Sequence, residues 1–322
     1  MKKILAVGFS LIALFVLLFV GIYFLSPETL FNLAVKAQRQ SAGLVKKEIQ
    51  VDDHKIAYLE GGKGQAILLL HGFGANKDDW AQFAKYLTGD YHVVIPDIPG
   101  FGESSQIEKA RYDAENQLKR IDRFAEVMKL EKFHMAGNSM GGMFTAAYGA
   151  KYPQKVSTLA LLAPGGVKSP KMSEMAILLQ KGTNPLLTGS PDDFDKLLKL
   201  LFAKPPFVPF QFKKVFAADA IAHSNFNKKI LDDMKWNHTG GMPSPMETFL
   251  EPYLLQIQAP VLIIWGDTDK ILDVGGVAVL EKNLKNYKTV IMKDTGHIPM
   301  VENPKDTASH YVNYLKDKKH DK

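Results

Sequence analysis

The stretch "HMAGNSMGGMF", His134 to Phe144, decides the fold. An apolar run leads into it and a helix-like run leaves it. Between them Ser139 stands in the pattern G-x-S-x-G, from Gly137 to Gly141. A strand that turns sharply into a helix needs glycines where a β-carbon would strike neighbouring backbone, and such a turn pushes its central side chain outward. The helix N-terminus that follows favours developing negative charge. A packed Gly-rich turn with a serine cap fits the same letters. The decision therefore rests on what stands at the other strand ends.

Outward from this stretch the chain alternates strand and helix. "EIQV" and "KIAYLE", separated by "DDH", read as an antiparallel pair. Then come short continuous apolar runs: "AILLL" (66–70), "HVVI" (92–95), "FHMAG" (133–137), "VSTLALLA" (156–163), "VLIIWG" (261–266) and "TVIM" (289–292). Runs of this length without alternation suit strands buried on both faces. Helical segments between them include Lys109 to Leu130, Met140 to Lys151 and Asp273 to Leu284. The fold class is α/β, with a mostly parallel sheet covered on both faces. One interval, Gly166 to about Pro252, is too long for a single crossover and reads as a helical cap over the sheet. Within it "SPDDFDKLLKLLF" carries Ser190 as N-cap, Pro191 at the first helical position and an inward stripe of Phe194, Leu197, Leu198 and Leu201. The prolines of "KPPFVPF" forbid regular helix.

Ligands of an open α/β sheet bind beyond the carboxyl ends of its strands. Four stretches stand there. "GNSMG" offers Ser139 as nucleophile. "HGFGANKDDW" offers the Phe73 N–H, which pairs with the Met140 N–H as an oxyanion hole; His71 in this loop is expected to fix the loop by hydrogen bonding. "WGDTDKILD" offers Asp267, Asp269 and Asp273. The G-x-x-D spacing favours Asp269 as partner of a histidine, with Asp267 bracing the turn and Asp273 capping the next helix. The preceding strand ends in "LLAPGGV", with no carboxylate to compete. "DTGHIPMVENP" offers His297, which alone among nine histidines stands in a loop after the last strand, downstream of Ser139 and Asp269. A serine hydroxyl is a poor nucleophile near neutral pH. A neutral imidazole must take its proton and return it to the leaving group, and a carboxylate must hold the imidazole's tautomer and stabilise the imidazolium. The order Ser, Asp, His is that of α/β-hydrolases. No group with metal-ligand spacing is present and the chemistry needs no metal or cofactor.

Composition bounds the rest. Of 322 residues, 46% are hydrophobic and 23% charged, and cysteine is absent, which excludes disulfides and thiolate chemistry. The net charge of +6 gathers at "MKK", "KDKKHDK" and Lys36 to Lys47, with no basic stripe interleaved with aromatics, so nucleic acid is not the expected partner. The uncharged run from Ile4 to Leu25 follows Lys2 and Lys3. At ~1.5 Å per residue it spans a hydrocarbon core of about 30 Å. Its exit, "GIYFLSPET", lacks a good small-x-small cleavage pattern, so residues 1–25 read as a signal anchor, with a cleaved signal peptide and a buried core helix as the alternatives. The positive-inside rule puts the catalytic domain on the non-cytoplasmic side, or secreted if the signal is cleaved. Residues 26–47 follow as a linker helix with Ser26 as N-cap and Leu30, Leu33, Ala34 and Ala37 at helical spacing. The core occupies residues 48–165 and 253–322, with the cap at 166–252.

"HGFGANKDDW", "IPDIPGFGESS", "GNSMGG", "NPLL", "KPPFVP", "WGDTD" and "GHIPMVE" resemble the family V bacterial lipases and esterases of the α/β-hydrolase superfamily, and the membrane-anchored monoacylglycerol lipases. The resemblance covers roughly residues 48–317, cap included. It implies an α/β-hydrolase fold and carboxylester hydrolysis through an acyl-enzyme. Ser139 would be the nucleophile, His297 the base, Asp269 its partner, and Phe73 and Met140 the oxyanion donors; Asp97 would be structural. The implied substrate is a small acyl ester or lipid. Carbon–carbon bond hydrolases and perhydrolases of the same fold are the alternative, and a non-catalytic binding protein would not need all three side chains.

Overall fold

The computed structural model describes residues 21–235 and 250–320. Eight strands form one sheet: β1 (Leu44–Val51), β2 (His54–Gly61), β3 (Ala66–Leu70), β4 (His92–Pro96), β5 (Phe133–Asn138), β6 (Val156–Leu162), β7 (Val261–Gly266) and β8 (Tyr287–Met292). Their order is β1-β2-β4-β3-β5-β6-β7-β8. β1 pairs antiparallel with β2, and β2 antiparallel with β4. The remaining pairs, out to β8, are parallel.

Successive side chains of a strand point to opposite faces, so each apolar run feeds two cores. In β3, Leu68 and Leu70 join Met135, Leu159 and Ile263 beneath the helices Ala114–Val127 and Met140–Lys151. Ile67 and Leu69 join Ala136, Ala160 and Leu262 against the C-terminal helix Pro304–His320. That double burial is why β3, β5, β6 and β7 read as unbroken apolar runs. It also fixes register, since a one-residue slip would exchange the two cores.

Helix ends depart from the sequence expectation. The helix expected from Lys109 begins at Ala114, because the Asp113 side chain accepts from the Asn116 N–H and so sets the N-cap there. It ends by Val127, and Lys129 at φ 56° turns the chain away. The helix expected from Asp273 begins at Gly276. The Asp273 carboxylate instead accepts from Gly275 N–H and Ser169 Oγ, which holds a turn ahead of the helix.

Between β6 and β7 the described residues hold the helices Glu174–Gln180, Pro191–Leu201, Phe210–Lys235 and Glu251–Leu254, and no strand. Ser190 caps the second as expected, accepting from Asp193 N–H at 3.2 Å. "KPPFVPF" is irregular until Phe210, as its prolines require.

The helix Pro27–Ser41 forms where expected, but Ser26 makes no side-chain bond to its backbone; its hydroxyl is taken by Thr29 Oγ1 at 2.6 Å. The docking face is also rotated from the expected one. Leu33, Ala34 and Ala37 are exposed. Phe31 packs edge-on against Phe212 and Phe216, and Arg39 makes a two-pronged ion pair with Asp78 at 2.6 and 2.7 Å. The large ring and the guanidinium fork fix the rotation, and small side chains spaced the same way cannot compete with them. The expected anchor, residues 1–25, lies outside the described residues up to position 20. Among the described residues no helix is long and apolar enough to cross a membrane.

Candidate active site

β5 ends at Asn138 and a helix starts at Met140, leaving Ser139 alone at the corner with φ 54° and ψ −116°. A non-glycine residue held in such a region costs on the order of 1–3 kcal/mol, which the surroundings must offset. They do so by leaving no room for relaxation. A β-carbon at Gly137 would collide with the Gly141 carbonyl, and one at Gly141 with the carbonyls of Leu70 and His71. From Phe133 to Ala150 every residue is buried except Ser139, so the turn exposes one side chain and hides all others.

The loop after β3 closes on this corner. A β-carbon at Gly72 would lie 3.4 Å from Ser139 Cβ, so the loop passes directly beside the serine. His71 is fully buried and held at both nitrogens: Ile98 N–H donates to Nε2 at 2.9 Å, and Nδ1–H donates to the Gly72 carbonyl at 2.7 Å. Burial lowers its pKa against the pull of Asp97, which keeps the ring neutral at pH 7. It fixes the loop, as expected. Asp97 is structural too. Its buried carboxylate takes Lys77 Nζ at 2.7 Å, and the N–H groups of Lys77 at 2.7 Å and Glu103 at 2.8 Å. In the same loop the Phe73 N–H has no acceptor among the described residues. Met140 is the first residue of its helix, where amides have no intrahelical partner.

His297 sits beyond β8. Its Nδ1 lies 2.7 Å from Asp269 Oδ2, and both side chains are buried. Asp269 also accepts from Trp265 Nε1 at 3.1 Å, and its other oxygen takes the N–H groups of Ile271 and Leu272, each at 2.9 Å. A carboxylate so held cannot swing away, and the carboxylate in turn fixes the imidazole with Nδ1 protonated. His297 Nε2 and Ser139 Oγ have no hydrogen-bond partner among the described residues. Both residues line one cavity of about 310 Å³. Asp267 braces the turn, accepting from Thr295 N–H.

Two residues not singled out in the sequence hold the parts together. Asn138 Nδ2 donates to the Leu162 carbonyl at 3.1 Å and to the His297 carbonyl at 3.0 Å, tying the serine corner to the histidine loop. Glu302 accepts from Gly296 N–H at 2.7 Å and from Lys204 N–H at 3.0 Å. His297 N–H itself donates to the Leu201 carbonyl at 2.8 Å, so the insert between β6 and β7 is bonded to the histidine loop. Its side chains Phe194, Leu197, Leu198 and Leu201 line the cavity, as the helical stripe predicts. No group of three or more metal-ligating side chains occurs among the described residues.

A serine corner, a buried acid–imidazole pair and a glycine loop at the carboxyl ends of a mostly parallel sheet define a hydrolase. The profile of the alpha/beta hydrolase fold matches residues 65–304, and the chain belongs to that family. Within it the chain is a serine ester hydrolase. It is 36% identical to Lipase 1 of Psychrobacter immobilis, over 86% of each chain. It is 29% identical to human monoacylglycerol lipase ABHD6, over 94% of this chain and 92% of that one. The crystal structure of a membrane phospholipase A, a bacterial virulence factor, superposes with a TM-score of 0.87 at 40% identity, covering 99% of both chains.

Proposed function

We propose that the protein hydrolyses carboxylic esters of lipid-like acyl chains through an acyl-enzyme at Ser139. The observation that carries this reading is the Asp269–His297 pair at 2.7 Å, whose imidazole lines one cavity with a half-buried serine on a strained corner. His297 Nε2 takes the Ser139 proton as Oγ attacks the carbonyl carbon. The developing oxyanion is held by the N–H groups of Phe73 and Met140. His297 then protonates the leaving alcohol, and water repeats the sequence on the acyl-enzyme to release the acid. Insert residues 166–252 act as a cap whose leucines and Phe194 receive the acyl chain. The names of the relatives support a glycerolipid substrate, with monoacylglycerol foremost.

A cavity of about 310 Å³ lies at the small end for ligand sites. Activity on a panel of p-nitrophenyl esters is therefore expected to peak between butyrate and decanoate and to fall at palmitate. Undiminished turnover of palmitate would contradict that reading of the cap.

The N-terminal run is proposed as a membrane anchor with the catalytic domain on the non-cytoplasmic side. In support, Leu25 and Phe207 are almost fully exposed, as are, to a lesser degree, Phe24 and Phe210. Phe216 is exposed and also lines the cavity, so its mouth borders this apolar surface. Recovery of the full-length protein in the soluble fraction of cells would refute the anchor.

A further inference from the structure

The cavity has two unlike walls. Met175, Ile271, Leu197 and Leu201 gather on the side of Asp269 and His297, where Ile271 and Leu201 are bonded to the pair through backbone groups. On the side of the glycine loop, beside Phe73 and Ala75, the wall carries polar side chains. Asp79 lines the cavity from the turn Lys77–Trp80. Its charged neighbours on that turn are paired, Lys77 with Asp97 and Asp78 with Arg39, whereas the Asp79 carboxyl has no hydrogen bond or ion pair among the described residues. Burial first, and then the negative charges of Asp78 and Asp97, push its pKa up to about 7.

Asn227 lines the same cavity from the insert helix Phe210–Lys235. A β-carbon at Gly74 would lie 3.7 Å from Asn227 Nδ2, which places the amide over the same loop. Asn227 is only 6% exposed, yet its side chain has no hydrogen-bond partner among the described residues and lines the cavity. Asn76 also lines this wall. Its Oδ1 is used by Asp78 N–H, and its amide nitrogen has no acceptor among the described residues. The Asp79 carboxyl and the Asn227 amide thus line the cavity without a protein partner among the described residues, free to bond the polar atoms of a ligand.

We propose that Asp79 and Asn227 form the subsite for the alcohol part of the ester, and that this alcohol is a polyol carrying free hydroxyls. A hydroxyl donates to the Asp79 carboxyl and accepts from Asn227 Nδ2, while the acyl chain lies along the leucine wall. This rests on the ester-hydrolase reading and adds to it which end of the substrate is read by polar contacts. A polar pocket built for hydroxyls discriminates strongly against an analogue that lacks them, because its own groups then stay unpaired.

The test compares kcat/KM for monooctanoylglycerol and for ethyl octanoate, which share an acyl chain. The ratio, normalised by ethyl octanoate turnover, is expected to favour the glyceryl ester in the wild type. It is expected to fall about tenfold in Asp79→Leu and again about tenfold in Asn227→Leu, one lost hydrogen bond each. Asp79→Asn, which still accepts a hydrogen bond, is expected to keep most of the preference. Should Asp79→Leu fail to fold, Asn227→Leu on the insert helix carries the comparison. A ratio unchanged in the variants that fold overturns the subsite while leaving ester hydrolysis intact. A preference for octanoylcholine that Asp79→Asn abolishes overturns the polyol assignment in favour of a cationic head group. Failure of the wild type on every ester overturns the underlying reading instead.

Discussion

Ser139→Ala is expected to lower kcat by about 10⁴–10⁶-fold on any ester the protein turns over, with little change in KM. The corner is built to present this one hydroxyl, and the alanine side chain occupies the same position at φ 54° without supplying a nucleophile. The glycine contacts on either side are unaffected, so melting temperature is expected to stay close to the wild-type value or rise. A serine whose loss leaves turnover within tenfold would be a packing residue, and the nucleophile would have to be sought elsewhere.

Asp269→Asn is expected to cost about 10⁴-fold in kcat, as expected for an imidazole held in the wrong tautomer. The amide nitrogen of asparagine can donate towards His297 Nδ1 at the 2.7 Å contact, which places the imidazole proton on Nε2, where it faces Ser139 instead of accepting from it. The neighbouring Asp267→Asn is the control. Asp267 accepts only a long bond from Thr295 N–H at 3.4 Å, so its change is expected to cost less than tenfold. A larger loss from Asp267→Asn than from Asp269→Asn would assign the wrong acid. Asp269→Asn also disturbs the N–H groups of Ile271 and Leu272, so its melting temperature should be recorded beside kcat.

The sheet was legible because burial on both faces writes itself as apolar runs: "AILLL", "FHMAG" and "VLIIWG" are strands β3, β5 and β7 almost to the residue. Positions at the carboxyl ends of strands were legible for the same reason, and with them Ser139, Asp269 and His297. Helix starts were not. Asp113 and Asp273 each redirect the backbone through a side-chain bond to a nearby N–H, and a run of letters does not say which of several acidic residues will do so. Long-range ties were hidden as well. Asn138 reaches the carbonyl of His297 across 159 positions, and Glu302 reaches Lys204 across 98. Nor could "NKDDW" reveal that two of its three charges are spent on Asp97 and Arg39 while Asp79 is left to the cavity. Pairing is a property of the folded chain.

The central claim is that ester cleavage passes through an acyl group on Ser139. It is tested most directly by treating the full-length protein with an alkyl phosphonate ester and locating the adduct by peptide mass. A single adduct on the peptide containing Gly137 to Gly141, mapped to Ser139 and appearing in step with loss of esterase activity, is the predicted result. Full loss of activity with the adduct on another residue, or continued ester hydrolysis after complete labelling of Ser139, would contradict it.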